Sequence, residues 1–151
     1  MVISRRQGDP RWGSKKIGNS PYTIAAFGCL ITAISDACVW WGKPQFTPDT
    51  ISERCSFTQD GRLLWKSVDK IGLTFLWRYY SENRKVIDSV LKHKTKCVFL
   101  EFNLGKGSHW VWCTGKDWLG RYKIADPLRG DFSDERRYGK ITGFAVIDYR
   151  V

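Results

Sequence analysis

The back half of the chain has the texture of β-strands separated by glycine turns. Residues 97–102, 108–115, 121–126 and 143–149 are short runs rich in aromatic and β-branched side chains, separated by turns that carry glycine. Such runs form an antiparallel sheet, and a sheet has to bury at least one face. The front half supplies the cover, because its apolar residues recur at helical spacing. A helical front half followed by an antiparallel back half is an α+β fold.

The first helix is the most informative stretch. In Phe27-Gly28-Cys29-Leu30-Ile31-Thr32-Ala33-Ile34 a loop delivers a cysteine onto a first helical turn. Leu30, Ala33, Ile34, Ala37 and Trp41 continue at helical spacing, Gly42 can take the left-handed stop and Pro44 lies beyond. Unpaired amide N–H groups and the positive end of the helix dipole surround Cys29, and both favour an anionic sulfur. Most free cysteines are merely small buried apolar residues, so Cys29 becomes a candidate nucleophile only with partners.

Elsewhere in the front half, Thr47 and Pro48 start a short helix over 48–54. Leu64, Val68 and Ile71 lie at helical spacing before Gly72, residues 73–78 read as a strand, and 83–92 as an amphipathic helix with Val86, Ile87, Val90 and Leu91 on one face. Nothing periodic precedes Cys29. The turn-rich stretches 6–13 and 18–22 are therefore expected to pack over the site as functional loops do.

With 151 residues, 42% hydrophobic and 15% aromatic, the chain suits a single domain over 1–151 with one substantial core. No stretch approaches the roughly 18 to 20 apolar residues of a membrane span. Met1-Val2-Ile3-Ser4-Arg5-Arg6 has no apolar run after it to make a signal peptide, so the chain is expected to be cytoplasmic when made, or to leave by a route that reads no signal. The cysteines at 29, 38, 55, 97 and 113 show neither CxxC nor zinc spacing, which favours reduced thiols. A net charge of +10 calls for an anionic partner: nucleic acid, phospholipid or bacterial cell wall. The basic residues form no long tract and no nucleic-acid motif is present, so a specific nucleic-acid partner is not expected.

Of the two histidines, His93 lies in a charged helix end, Leu91-Lys92-His93-Lys94, and should be solvated. His109 opens a strand just after a glycine loop, in Gly107-Ser108-His109-Trp110-Val111. A general base needs that placement, held by a rigid element and open on one side. If the runs 108–115 and 121–126 form a hairpin through Lys116-Asp117-Trp118-Leu119-Gly120, the end of the second lies beside the start of the first. His109 and Asp126 then become cross-strand neighbours at one sheet edge, where the carboxylate can fix the imidazole tautomer.

Gln7-Gly8-Asp9-Pro10-Arg11-Trp12, then Gly28-Cys29, then Gly107-Ser108-His109-Trp110-Val111, then Asp126-Pro127-Leu128-Arg129-Gly130, in that order, resemble the papain-like cysteine peptidases related to bacteriocin-processing, double-glycine leader peptidases. The resemblance implies a papain-like fold with the nucleophile on a central helix against an antiparallel sheet. It implies Cys29 as nucleophile, His109 as base, Asp126 as its orienting carboxylate and Gln7 as an oxyanion donor, and no metal or cofactor. Leader peptidases of this kind are usually fused to a membrane transporter, and this chain has no membrane segment. A small basic domain is more similar to the phage and bacterial cell-wall lysins of the same superfamily. The expected partners are therefore a peptide or peptidoglycan substrate and the anionic wall polymers. The alternatives are a peptidase of proteins or leader peptides, and a catalytically silent peptide or wall-binding module of the same fold.

Overall fold

Four α-helices and six strands make up the computed structural model, which describes residues 4–150. Met1–Ile3, which open the stretch expected to lack a signal peptide, and Val151 lie outside them. In chain order the elements are α1 (Ile24–Phe27), α2 (Cys29–Trp40), α3 (Pro48–Arg54), β1 (Thr74–Tyr79), α4 (Arg84–Leu91), β2 (Lys96–Asn103), β3 (Ser108–Lys116), β4 (Tyr122–Asp126), β5 (Asp131–Asp134) and β6 (Ile141–Asp148), with 3-10 turns at Trp65–Ile71 and Glu135–Arg137. The strands form a single sheet, every neighbouring pair antiparallel, in the order β1-β6-β2-β3-β4-β5. The fold is α+β, as a helical front half followed by strand-like runs predicts. No helix among the described residues is long and apolar enough to cross a membrane.

Both faces of the central strands are covered, which is why their sequences read as nearly continuous apolar runs instead of alternating ones. On one face Ala33, Ile34 and Ala37 of α2 pack with Phe99, Trp110, Trp112, Ala125 and Ile147. On the other, Ile87 and Val90 of α4 pack with Leu100, Phe102, Val111, Ile124 and Phe144. Each large apolar side chain so buried contributes about 1.5–3 kcal/mol. Because α2 is buried almost throughout, from Ile31 to Cys38, it is the central helix of its layer. The C-terminal end of the chain ties to it: the Tyr149 hydroxyl donates to the Ile34 carbonyl at 3.1 Å.

Three elements depart from the sequence expectations. Val68 and Ile71 are buried on a 3-10 turn, whose three-residue period serves their spacing in one short piece. The irregular lead-in to Cys29 contains the helix α1, capped by the Thr23 side chain. The edge strand β5, Asp-Phe-Ser-Asp, has no apolar alternation of its own and exists because β4 offers it a free edge.

The N-terminal segment is strapped across these layers. The Arg5 guanidinium donates to Ser35 Oγ (2.6 Å), Pro44 O (2.9 Å) and Phe46 O (3.2 Å), while the Arg5 amide donates to the buried Asp36 carboxylate. Two residues on, the Gln7 amide donates to Pro127 O at 2.8 Å. The strap thereby joins α2 to the end of β4.

Candidate active site

Cys29 is the first residue of α2, and its N-cap, Gly28, supplies no side-chain capping bond. The amides of that first turn therefore remain donors without an intrahelical acceptor. Gly28 is required for space and not for conformation, since its φ of −87° suits any residue. A Cβ there would stand 2.6 Å from Ile24 O and 2.7 Å from Ile24 Cγ2. That turn is closed by the Gly28 amide donating to Ile24 O at 2.8 Å. Gly28→Ala is accordingly expected to cost about 1–3 kcal/mol, as overpacking does. Thermal melting checks this; an unchanged midpoint would mean that the turn has room.

The Cys29 sulfur accepts from the Trp110 amide at 3.4 Å and opens onto a cleft of about 720 Å³. Tyr22, Phe27, Trp65, Arg78, Tyr80, Glu101 and Trp110 are among the residues lining it. The four other thiols have different surroundings. Burial pushes Cys38, Cys97 and Cys113 up to about 12 and Cys55 up to about 11. All five cysteines are free.

His109 is only 4% exposed and Asp126 is fully buried. The imidazole Nε2 lies 2.9 Å from Asp126 Oδ1, so an ionised Asp126 sets Nε2–H as the donor and leaves Nδ1 for the other side of the ring. The Cys29 thiol lies near enough to help raise the imidazole pKa, and it accepts from the amide of the very next residue, Trp110. Burial pulls the His109 pKa down, but Asp126 and Cys29 outweigh it and raise it to about 9. Burial likewise pushes Asp126 up, and the donors around it bring it down to about 2.

Those donors include two residues for which the sequence carried no signal. Asp126 Oδ1 also accepts from the Leu128 amide at 3.0 Å, while Oδ2 accepts from Arg137 Nη1 at 2.9 Å and from the Tyr138 hydroxyl. Arg137 is itself held by Asp131 at 2.6 and 3.0 Å. The Tyr138 ring meets the His109 ring edge-on, centroids 4.7 Å apart. Both residues follow the strand that the sequence did not predict, and only its return along β4 brings them to the carboxylate.

The hairpin joining His109 to Asp126 forms, with one correction. Trp112 pairs with Ala125 and Cys113 with Ile124, so continuing that register one step sets Asp126 beside Val111. His109 and Asp126 are therefore diagonal neighbours on one face, at a distance that an imidazole spans, and not directly opposed. His93 is exposed, as its charged context predicts.

Gln7 is buried, at 3% exposure. Its Nε2 donates to Ala25 O at 2.9 Å, and its Oε1 has no hydrogen-bond partner among the described residues. The carboxamide is thus tied to the turn leading into Cys29, with one of its two N–H donors used on Ala25, while the Gln7 backbone amide holds the residue after Asp126. No group of three or more potential metal ligands occurs among the described residues. Neither a family model nor a curated protein matches the chain at a significant level.

The ion pair should leave its mark on the pH dependence of stability. A histidine raised from about 6.5 to about 9 stabilises fully below pH 6.5, and that contribution drains away as the pH climbs through 9. A carboxylate lowered from 3.8 to about 2 stabilises fully above pH 4 and loses its contribution as the pH drops through 2. The difference in melting temperature between wild type and His109→Gln is therefore expected to be largest between about pH 4 and 6.5. It should narrow on both sides, and a gap independent of pH would show that the pair is not ionic.

Proposed function

We propose that the chain is a papain-like cysteine hydrolase that cleaves peptide or amide bonds through an acyl-thioester, with bacterial peptidoglycan peptides as its substrate. One observation carries this: a sulfur at a helix N-terminus, at the side of a cleft, accepts from the amide of the residue that follows a histidine bonded to a buried carboxylate. His109 Nδ1 takes the Cys29 proton, and the sulfur attacks the substrate carbonyl carbon. The Cys29 amide and the second N–H of the Gln7 carboxamide hold the oxygen as it becomes negative. His109 then gives its proton to the departing amine, which leaves the acyl group on sulfur. Water attacks the thioester with His109 as base, releasing the acid and restoring the thiol. Asp126 keeps Nε2–H in place throughout and stabilises the imidazolium.

The wall as substrate rests on the charge of +10, which suits anionic wall polymers. The test is a salt titration on two substrates, intact bacterial walls in a zymogram and a small soluble stem peptide. Raising salt from 0.1 to 1 M shortens the screening length from about 10 Å to about 3 Å. Wall lysis is expected to fall steeply over that range, while stem-peptide cleavage changes little. Parallel curves would remove wall capture from the role of the charge. No cleavage of either substrate at any salt would turn the reading to proteins, leader peptides or a silent binding module.

A further inference from the structure

A charged pair with no part in the triad stands in the wall of the same cleft. Glu101 of β2 is in register with Trp110 of β3, whose amide reaches the Cys29 sulfur. On its other side Glu101 is in register with Gly143 of β6. Arg78 of β1 donates to Glu101 Oε1 at 2.8 Å, and the two side chains are only 14% and 12% exposed. Gly143 makes room for them: a Cβ there would lie 2.6 Å from Arg78 Nη1 and 2.7 Å from Glu101 Oε1.

A nearly dry ion pair is a poor way to stabilise a fold, since apolar residues of the same size serve as well or better. The two partners are also unequally satisfied. Arg78 donates to Tyr79 O as well as to Glu101, and its guanidinium is flanked by the Tyr80 and Trp110 rings at 4.1 and 4.8 Å. Among the described residues Arg78 alone donates to the Glu101 carboxylate, and only at Oε1. The pair thus presents an acceptor to the cleft, one cross-strand neighbour away from the residue that touches the nucleophile.

We infer that Glu101 is a specificity-determining residue whose free carboxylate oxygen binds a primary ammonium on the substrate, close to the bond that Cys29 attacks. The substrates so selected are peptides with a diamino-acid side chain or a free N-terminus near the cleaved bond. Arg78 holds the carboxylate in place, and Trp110 couples its position to Cys29. This rests on the hydrolase reading above for the identity of the bond cleaved.

The experiment uses one soluble peptide in four forms: with lysine beside the scissile bond, with norleucine there, with Nε-acetyl-lysine there, and with lysine but an acetylated N-terminus. Wild type gives kcat/KM for each, and Cys29→Ala gives Kd by calorimetry. A charge-assisted hydrogen bond predicts a roughly 10 to 100-fold advantage for an ammonium form over its uncharged counterpart. Loss on the norleucine and Nε-acetyl forms assigns the side-chain ammonium, and loss on N-terminal acetylation assigns the α-ammonium. In Glu101→Gln, which can still accept from Arg78, the advantage should shrink to near unity. Equal values for all four peptides, or a preference that survives in Glu101→Gln, overturns the inference. Binding preference in Cys29→Ala without turnover by wild type would leave it standing and sink the hydrolase reading. Turnover without preference would do the reverse, and neither binding nor turnover would sink both.

Discussion

Cys29→Ala is expected to lower hydrolysis of a soluble peptide by on the order of 10⁵ to 10⁶-fold, and His109→Ala by a similar factor, because nucleophile and base act as one unit. The double variant should be no worse than either single one. The same assignment predicts that iodoacetamide at neutral pH modifies Cys29 first and abolishes turnover. Cys29 alone has both a helix N-terminus and an imidazole close by. Burial holds the other four thiols at about 11 to 12, so few of them are anionic at neutral pH. Peptide mapping by mass spectrometry identifies the labelled residue. Faster labelling of Cys38, Cys55, Cys97 or Cys113, with turnover retained, would remove Cys29 from the role of nucleophile.

Asp126→Ala should separate two effects that Cys29→Ala does not. In activity it is expected to be about 10 to 100-fold less damaging than loss of the nucleophile, since an orienting carboxylate assists the base without meeting the substrate. In stability it should be the worse of the two variants. Removing Asp126 strands the buried His109 donor and the half-buried Tyr138 hydroxyl and breaks the Arg137 contact, although Asp131 still holds that guanidinium. Breaking a buried ion pair from one side costs about 3–5 kcal/mol, which a shift of the urea midpoint measures. Asp126→Asn keeps the volume and loses the charge, so its activity reports the charge with less change in packing. Wild-type activity in Asp126→Ala beside an inert His109→Ala would leave a Cys29–His109 dyad and give the third role to another residue.

The sequence by itself determined the parts of this protein that depend on near neighbours in the chain. Helical spacing after Gly28 and the stop at Gly42 sufficed to put Cys29 at the head of a helix, because caps and periodicity act within a few residues. The short turn 117–121 brings β3 and β4 together, so a His near the start of one and an Asp at the end of the other were bound to approach. What spacing could not supply was the register, which a bulge between Cys113 and Gly115 shifts, leaving His109 and Asp126 diagonal. Contacts between distant segments were decided only by the tertiary structure. The last strand, β6, inserts between β1 and β2, and that step alone makes Gly143 the neighbour of Glu101 and brings Arg78 to it. Arg137 and Tyr138 meet Asp126 because β5 returns along β4, although four residues with two aspartates carry no apolar period to announce a strand. Gln7 reaches its place through Arg5, Asp36 and Pro127, segments far apart in sequence. In each case the partners are brought together by strand order and packing between segments distant in the chain, which local spacing does not encode, and buried polar groups there need such partners.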